Sequence, residues 1–278
     1  MQRPLWLNKK ISLSACDEVK NHLRDLKLST VCEEASCPNI GECFARKEAT
    51  FLILGRNCTR SCAFCGIAKG SPAPADPSEP ERVAAGVRKL GLKYVVITSV
   101  TRDDLADGGA SAFSGTINVV RRDNPGIKVE VLIPDFGGDI VSVRMVADAA
   151  PEVIAHNVET VPRLYHTARK GANYGRSLGV LRYASSFSRG SRVKSGLMLG
   201  LGEKEGEVME VLRDLAEAGC TILSIGQYLA PTNDHLPVVS YIPPEKFDHY
   251  KAEALKVGFK SVMSGPYVRS SYMAGDHL

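Results

Sequence analysis

The chain has 278 residues, 44% of them hydrophobic and 24% charged, with a formal net charge of +4. That length supports one sizeable buried core, and no apolar run approaches the roughly 20 residues a membrane span needs. The start lacks a charged segment leading into an apolar one, and no Lys/Arg run or basic-aromatic stripe stands out; these features set aside a secretory signal, a membrane protein and a nucleic-acid binder, and predict a cytoplasmic enzyme or binding protein.

Residues 1 to about 50 read as an irregular segment in which "WLNKKI" and "EVKNHLRDLKL" allow a helix or two and no strand is evident. From Thr50 the pattern alternates. Apolar, β-branched runs at 50–55, 93–100, 128–136, 152–159, 192–202 and 221–229 predict strands buried on both faces. Helical stretches separate them. One opens at Ser78 with Glu81 three residues on, which predicts a capping box, and ends at Gly91. Another carries Val208, Val211, Leu212 and Leu215 on one face before Gly219. Six strand–helix units predict a parallel sheet, either a partial barrel or a doubly wound sheet; periodicity does not separate the two.

The eight cysteines are unevenly spread. Cys32, Cys37, Cys43, Cys58, Cys62 and Cys65 crowd into one stretch, while Cys16 and Cys220 stand alone and read as small buried hydrophobes. A disulfide framework belongs to small secreted domains. Structural zinc takes four ligands, often as paired CxxC units, and the only CxxC here is Cys62 with Cys65. Two trios suit two four-iron clusters, each with one iron lacking a cysteine. Polar segments follow several strands: "TRDDLADGG", "HNVET" and "QYLAPTNDH". In parallel α/β folds that is where sites collect.

"CTRSCAFC" (58–65) resembles the CxxxCxxC signature of radical S-adenosylmethionine enzymes. "CEEASCPNIGEC" (32–43) and the "RSSY" of "GPYVRSSY" (265–272) narrow the resemblance to the lipoyl synthases, from about residue 20 onward. The resemblance implies a partial (β/α)6 TIM-like barrel over 50–258. It also implies an N-terminal extension over 1–49 and a C-terminal extension over 259–278, both covering the barrel mouth. Cys58, Cys62 and Cys65 would hold a four-iron, four-sulfur cluster whose open iron binds S-adenosylmethionine. Cys32, Cys37 and Cys43 would hold an auxiliary cluster with Ser270 as the fourth ligand, Ser271 being the other choice, and with Arg269 beside it. The implied reaction takes sulfur from the auxiliary cluster into carbons six and eight of an octanoyl group on a carrier lysine. The implied partners are an octanoylated lipoyl carrier (an H protein or a dehydrogenase acyltransferase subunit) and an electron donor such as flavodoxin or ferredoxin. For the cofactor itself the expected contacts are Asp104, beside Gly108 and Gly109, with Asn157, Glu159 and Arg176.

Overall fold

A computed structural model describes residues 3–8, 14–46, 48–187 and 189–277. Eight strands form one sheet in sequence order. β1 (Ser29–Thr30) pairs antiparallel with β2 (Thr50–Ile53). β3 (Tyr94–Ser99), β4 (Lys128–Leu132), β5 (Val153–Ala155), β6 (Arg192–Leu199), β7 (Ile222–Gln227) and β8 (Ser261–Gly265) then follow, each parallel to the one before. β1 and β8 do not meet, so the sheet is an open, partial barrel.

All six predicted strands form, each shorter than its apolar run. The 152–159 run leaves the sheet after Ala155, and Glu159 adopts a left-handed φ of 68°. Two strands carry no such run. β1 has only two residues, and β8 (SVMSG) fully buries Val262 alone instead of being apolar throughout. β8 pairs with β7 from Ser261 to Gly265, so the part of 259–278 lying beyond the barrel begins only after Gly265.

Helices α1 (Ser14–Asp25), α2 (Val31–Glu34) and α3 (Ile40–Ala45) make up the N-terminal segment, after a short 3-10 turn at Leu5–Leu7. The remainder of the expected "WLNKKI" helix falls partly outside the described residues. The outer layer is α4 (Glu79–Leu90), α5 (Ala110–Asp123), α6 (Ile140–Asp148), the short α7 (Tyr165–Ala168), α8 (Tyr174–Phe187), α9 (Glu205–Glu217) and α10 (Pro244–Val257). α9 buries Val208, Val211, Leu212 and Leu215 completely, as its spacing predicts. Gly91 ends α4 in the left-handed conformation. The capping box at Ser78 does not form: Ser78 sits in helical φ/ψ, and its hydroxyl donates to Asp76 (2.7 Å) and accepts from Arg82 (2.6 Å). A nearby carboxylate outcompetes the helix for that hydroxyl.

Strand alternation turns Tyr94, Glu130 and Lys194 toward one another inside the barrel. Lys194 and Glu130 are fully buried and paired at 2.8 Å, and the Tyr94 hydroxyl donates to the same carboxylate at 2.6 Å. This polar layer lies near the amino ends of the strands.

Candidate active site with two cysteine pockets

The loop after β2 carries the second cysteine trio, at the carboxyl end of the sheet. The backbone fixes it from several sides. Cys58 donates its N–H to Ala68 (2.8 Å), Ala63 to Ala168 (2.9 Å) and Leu236 to Ala63 (3.1 Å). A loop so tied holds its thiols in place before anything binds them. Burial raises the Cys62 thiol, and the Arg169 guanidinium opposes that rise. Burial likewise raises Cys65 to about 11.

Arg169 was not singled out by the sequence. It donates to the Tyr165 hydroxyl (3.1 Å) and to Ser177 Oγ (3.0 Å), facing Cys62 and Glu159. Ser177 Oγ in turn lies 3.0 Å from His156 Nε2, and His156 Nδ1 lies 2.8 Å from the Ile133 carbonyl. Since Ile133 offers only an acceptor, Nδ1 carries the proton and Nε2 accepts from Ser177. Burial above all, with Arg169 adding to it, lowers His156 to about 4. The unfolded imidazole, near 6.5, binds a proton that the folded one refuses, so stability falls as pH drops from about 6.5 to about 4. The expected slope is about 1.4 kcal/mol per pH unit. Urea unfolding of the metal-free protein across that range checks it; a His156→Gln variant should lose the slope.

Glu159 and Asn157 stand opposite Arg169. Burial raises the Glu159 carboxyl, while Arg169 and the Asn157 amide counter the rise. Arg60, inside the cysteine motif, reaches outward. It holds Asp103 (2.7 and 2.8 Å) and the fully buried Asp135 (2.7 and 2.9 Å). Burial works against the Asp135 charge, but the Arg60 hydrogen bonds and charge win and hold the carboxyl at about 2. Arg176 approaches the same carboxylate at 3.4 Å. Arg60, Asp103, Lys170 and Arg176 thus line one open cleft beside the thiols. Asp104 does not join them: buried Arg102 holds it at 2.8 Å and also donates to the Leu54 carbonyl (3.1 Å). The acidic side chain turned to the cleft is its neighbour Asp103.

The first trio lies elsewhere. Cys32, Cys37 and Cys43 line a cavity of about 310 Å³ with Thr50, Tyr94, Arg269, Ser271 and Tyr272. Thr50 and Tyr94 begin β2 and β3, so the extensions cover the mouth at the amino ends of the strands, opposite the other cysteines. Burial, with the neighbouring thiols adding to it, pushes Cys32 and Cys43 up to about 12.

The C-terminal tail joins the two pockets. Ser270 Oγ donates to Asn157 Oδ1 at 2.7 Å. Ser271 Oγ accepts from the Thr50 hydroxyl at 2.8 Å, and Thr50 is also in hydrogen-bonding reach of the Cys32 thiol. Adjacent serines therefore face different pockets, and Ser271 is the one on the wall of the first trio. Tyr272 donates to Glu42 (2.9 Å), and Tyr267 donates to the Leu7 carbonyl.

The residues fit iron–sulfur clusters. Among the described residues no cysteine is paired in a disulfide, so neither trio is spent on one. Each trio is one thiol short of a closed zinc site. Burial lowers Arg269, and the side chains that face it are Cys37 and Tyr267 instead of a carboxylate. A guanidinium enclosed in this way needs an anion beside it, which a thiolate-bound cluster provides.

Residues 52–226 match the radical SAM superfamily, a stretch that holds the CxxxCxxC loop and the strands from β3 to β7. The chain is therefore a radical S-adenosylmethionine enzyme. It superposes on the Streptococcus suis SuiB structure bound to precursor peptide SuiA with a TM-score of 0.61, at 13% identity over 82% of this chain and 52% of that one, which is a likeness of fold. It is 57% identical to the lipoyl synthase of Geotalea uraniireducens (strain Rf4) over 273 residues, 98% of this chain and 96% of the relative. It is 56% identical to that of Geobacter metallireducens (strain ATCC 53774 / DSM 7210 / GS-15) over 274 residues, 99% and 96%. The chain belongs to the lipoyl synthase family.

Proposed function

We propose that this chain converts an octanoyl group on a lysine of a lipoyl-carrier protein into a lipoyl group by adding sulfur at carbons six and eight. When bound, the two four-iron, four-sulfur clusters supply the electron that cleaves S-adenosylmethionine and the sulfur that is transferred. Cys58, Cys62 and Cys65 hold the first of these, with Asn157, Glu159 and Arg176 toward the cofactor. Cys32, Cys37 and Cys43 hold the second, with a tail serine oxygen as fourth ligand. A hard oxygen is a mismatched partner for a soft cluster, so this serine would be its weakest-held ligand.

The observation that carries this reading is the tail linking the two pockets, Ser270 at Asn157 and Ser271 at Thr50. Two cysteine sites joined through a barrel interior suit a chain-shaped substrate held between a radical source and a sulfur source. Holding both reactants in place is worth several kcal/mol of barrier. The walls also keep water from the radical.

An H protein or a dehydrogenase acyltransferase subunit is the proposed carrier, and a flavodoxin or ferredoxin the electron donor. Lys170 and Arg176 at the open cleft would suit an acidic partner. No described helix is long and apolar enough to cross a membrane, and a cytoplasmic setting agrees with the lack of disulfides among the described residues.

The test is an anaerobic assay with an octanoyl-lysine peptide, scoring lipoyl product and 5′-deoxyadenosine separately. The family motif assigns the oxygen ligand to Ser270, whereas this geometry favours Ser271. Ser271→Ala should keep deoxyadenosine release and lower product by more than the about 10- to 100-fold that losing a supporting group costs. Wild-type turnover by that variant, with Ser270→Ala inactive, returns the ligand to Ser270.

A further inference from the structure

We infer that Gly226 and Gly196 are positioning residues: their bare Cα atoms form the seat that lets the C-terminal tail enter the barrel. This rests on the proposed role of the tail serines. The tail leaves β8 at Gly265 and turns back, with Val268 donating its N–H to Gly265 (3.1 Å) and Gln227 to Pro266 (3.3 Å). It then lies against the inner face of β7 and β6. A methyl at Gly226 would overlap the Val268 carbonyl oxygen and stand 3.1 Å from its carbon and 3.3 Å from Arg269 Nη1. A methyl at Gly196 would stand 3.0 Å from Asn157 Oδ1 and 3.2 Å from Ser270 Oγ. These are the two atoms of the Ser270–Asn157 hydrogen bond.

Neither glycine has a positive φ, so the backbone does not call for glycine at either position. Glycine within a strand costs packing and conformational entropy, and close approach of another backbone is a physical reason to bear that cost. β6 and β7 each carry one, at neighbouring places in the sheet: Gly196 pairs with Ser224, two residues before Gly226. The obstacle at Gly226 is a main-chain carbonyl, which cannot swing aside as a long side chain can. Any β-carbon there must move the tail itself, and with it Arg269, Ser270 and Ser271.

Gly265 supplies the control. It lies at the same turn and also lacks a positive φ, but a methyl there would meet only Val268 Cγ2, at 3.6 Å, an ordinary contact. Gly265→Ala should leave the tail seated.

The experiment compares Gly226→Ala, Gly196→Ala and Gly265→Ala with wild type by two readouts. The first is limited trypsin digestion of the metal-free protein, with the cut after Arg269 located by mass spectrometry. Cleavage within a locally opened segment follows the population of the open form. Gly226→Ala should be cut there at least about tenfold faster, Gly196→Ala by less, and Gly265→Ala like wild type, with cuts elsewhere unchanged. The second readout is lipoyl product against deoxyadenosine in the reconstituted enzyme. Gly226→Ala should lose product while keeping deoxyadenosine. Wild-type cleavage at Arg269 in Gly226→Ala, or equal cleavage in Gly265→Ala, overturns the seat. Faster cleavage with undiminished product upholds the seat and instead overturns the role given to the tail serines. Should Gly226→Ala fail to fold, the milder contact at Gly196 decides by the same two readouts.

Discussion

Replacing Cys62 with alanine should abolish both 5′-deoxyadenosine and lipoyl product, whereas alanine at Cys43 should abolish the product alone. The two cysteines lie in separate pockets, one at each end of the barrel, and a shared role would give them one phenotype. Cys62 sits in a loop held by main-chain hydrogen bonds to Ala168 and from Leu236, so removing its thiol takes away a ligand without loosening the loop. Its loss should exceed the about 100-fold that removing a supporting group costs. Iron analysis after anaerobic reconstitution supplies the second measure: each variant should hold about half the iron of wild type. If the Cys43 variant releases no deoxyadenosine, the division of labour between the trios is wrong.

Lys194→Met should cost about 3–5 kcal/mol of stability, since it leaves the Glu130 carboxylate buried and without its cation. For a domain approaching this size that is a drop of roughly 6–20 °C in Tm. The Tyr94 hydroxyl still donates to Glu130 but cannot neutralise it. Adding Glu130→Gln should recover most of the loss, because a neutral amide keeps an acceptor for Tyr94 and removes the charge. Calorimetry of the metal-free proteins checks both. A single variant as stable as wild type would mean that water reaches the pair. The layer also borders the cavity of the first trio, where Tyr94 forms part of the wall. Product formation in the double variant therefore shows whether the pair serves more than folding.

Parts of the fold whose signals are local could be read along the chain. Continuous apolar runs marked the six strands that are buried on both faces, and the period of α9 marked its buried stripe. Cysteine spacing marked both trios, and the RSSY tail completed the family signature. Elements without such a signal were not legible: β1 is too short for a pattern, and two serines among the five residues of β8 break its apolar run. Which groups meet depends on the folded chain. Asp103 turns to the cleft while Asp104 is drawn to Arg102. Ser270 and Ser271 look alike in sequence, yet one faces Asn157 and the other Thr50. Arg169 gave no signal at all, since its partners Cys62, Glu159 and Ser177 come from three separate segments. The physical reason is common to all of these. Burial pattern and ligand spacing are written along the chain, whereas ion pairing and close backbone contact depend on distances that exist only after the sheet has curved.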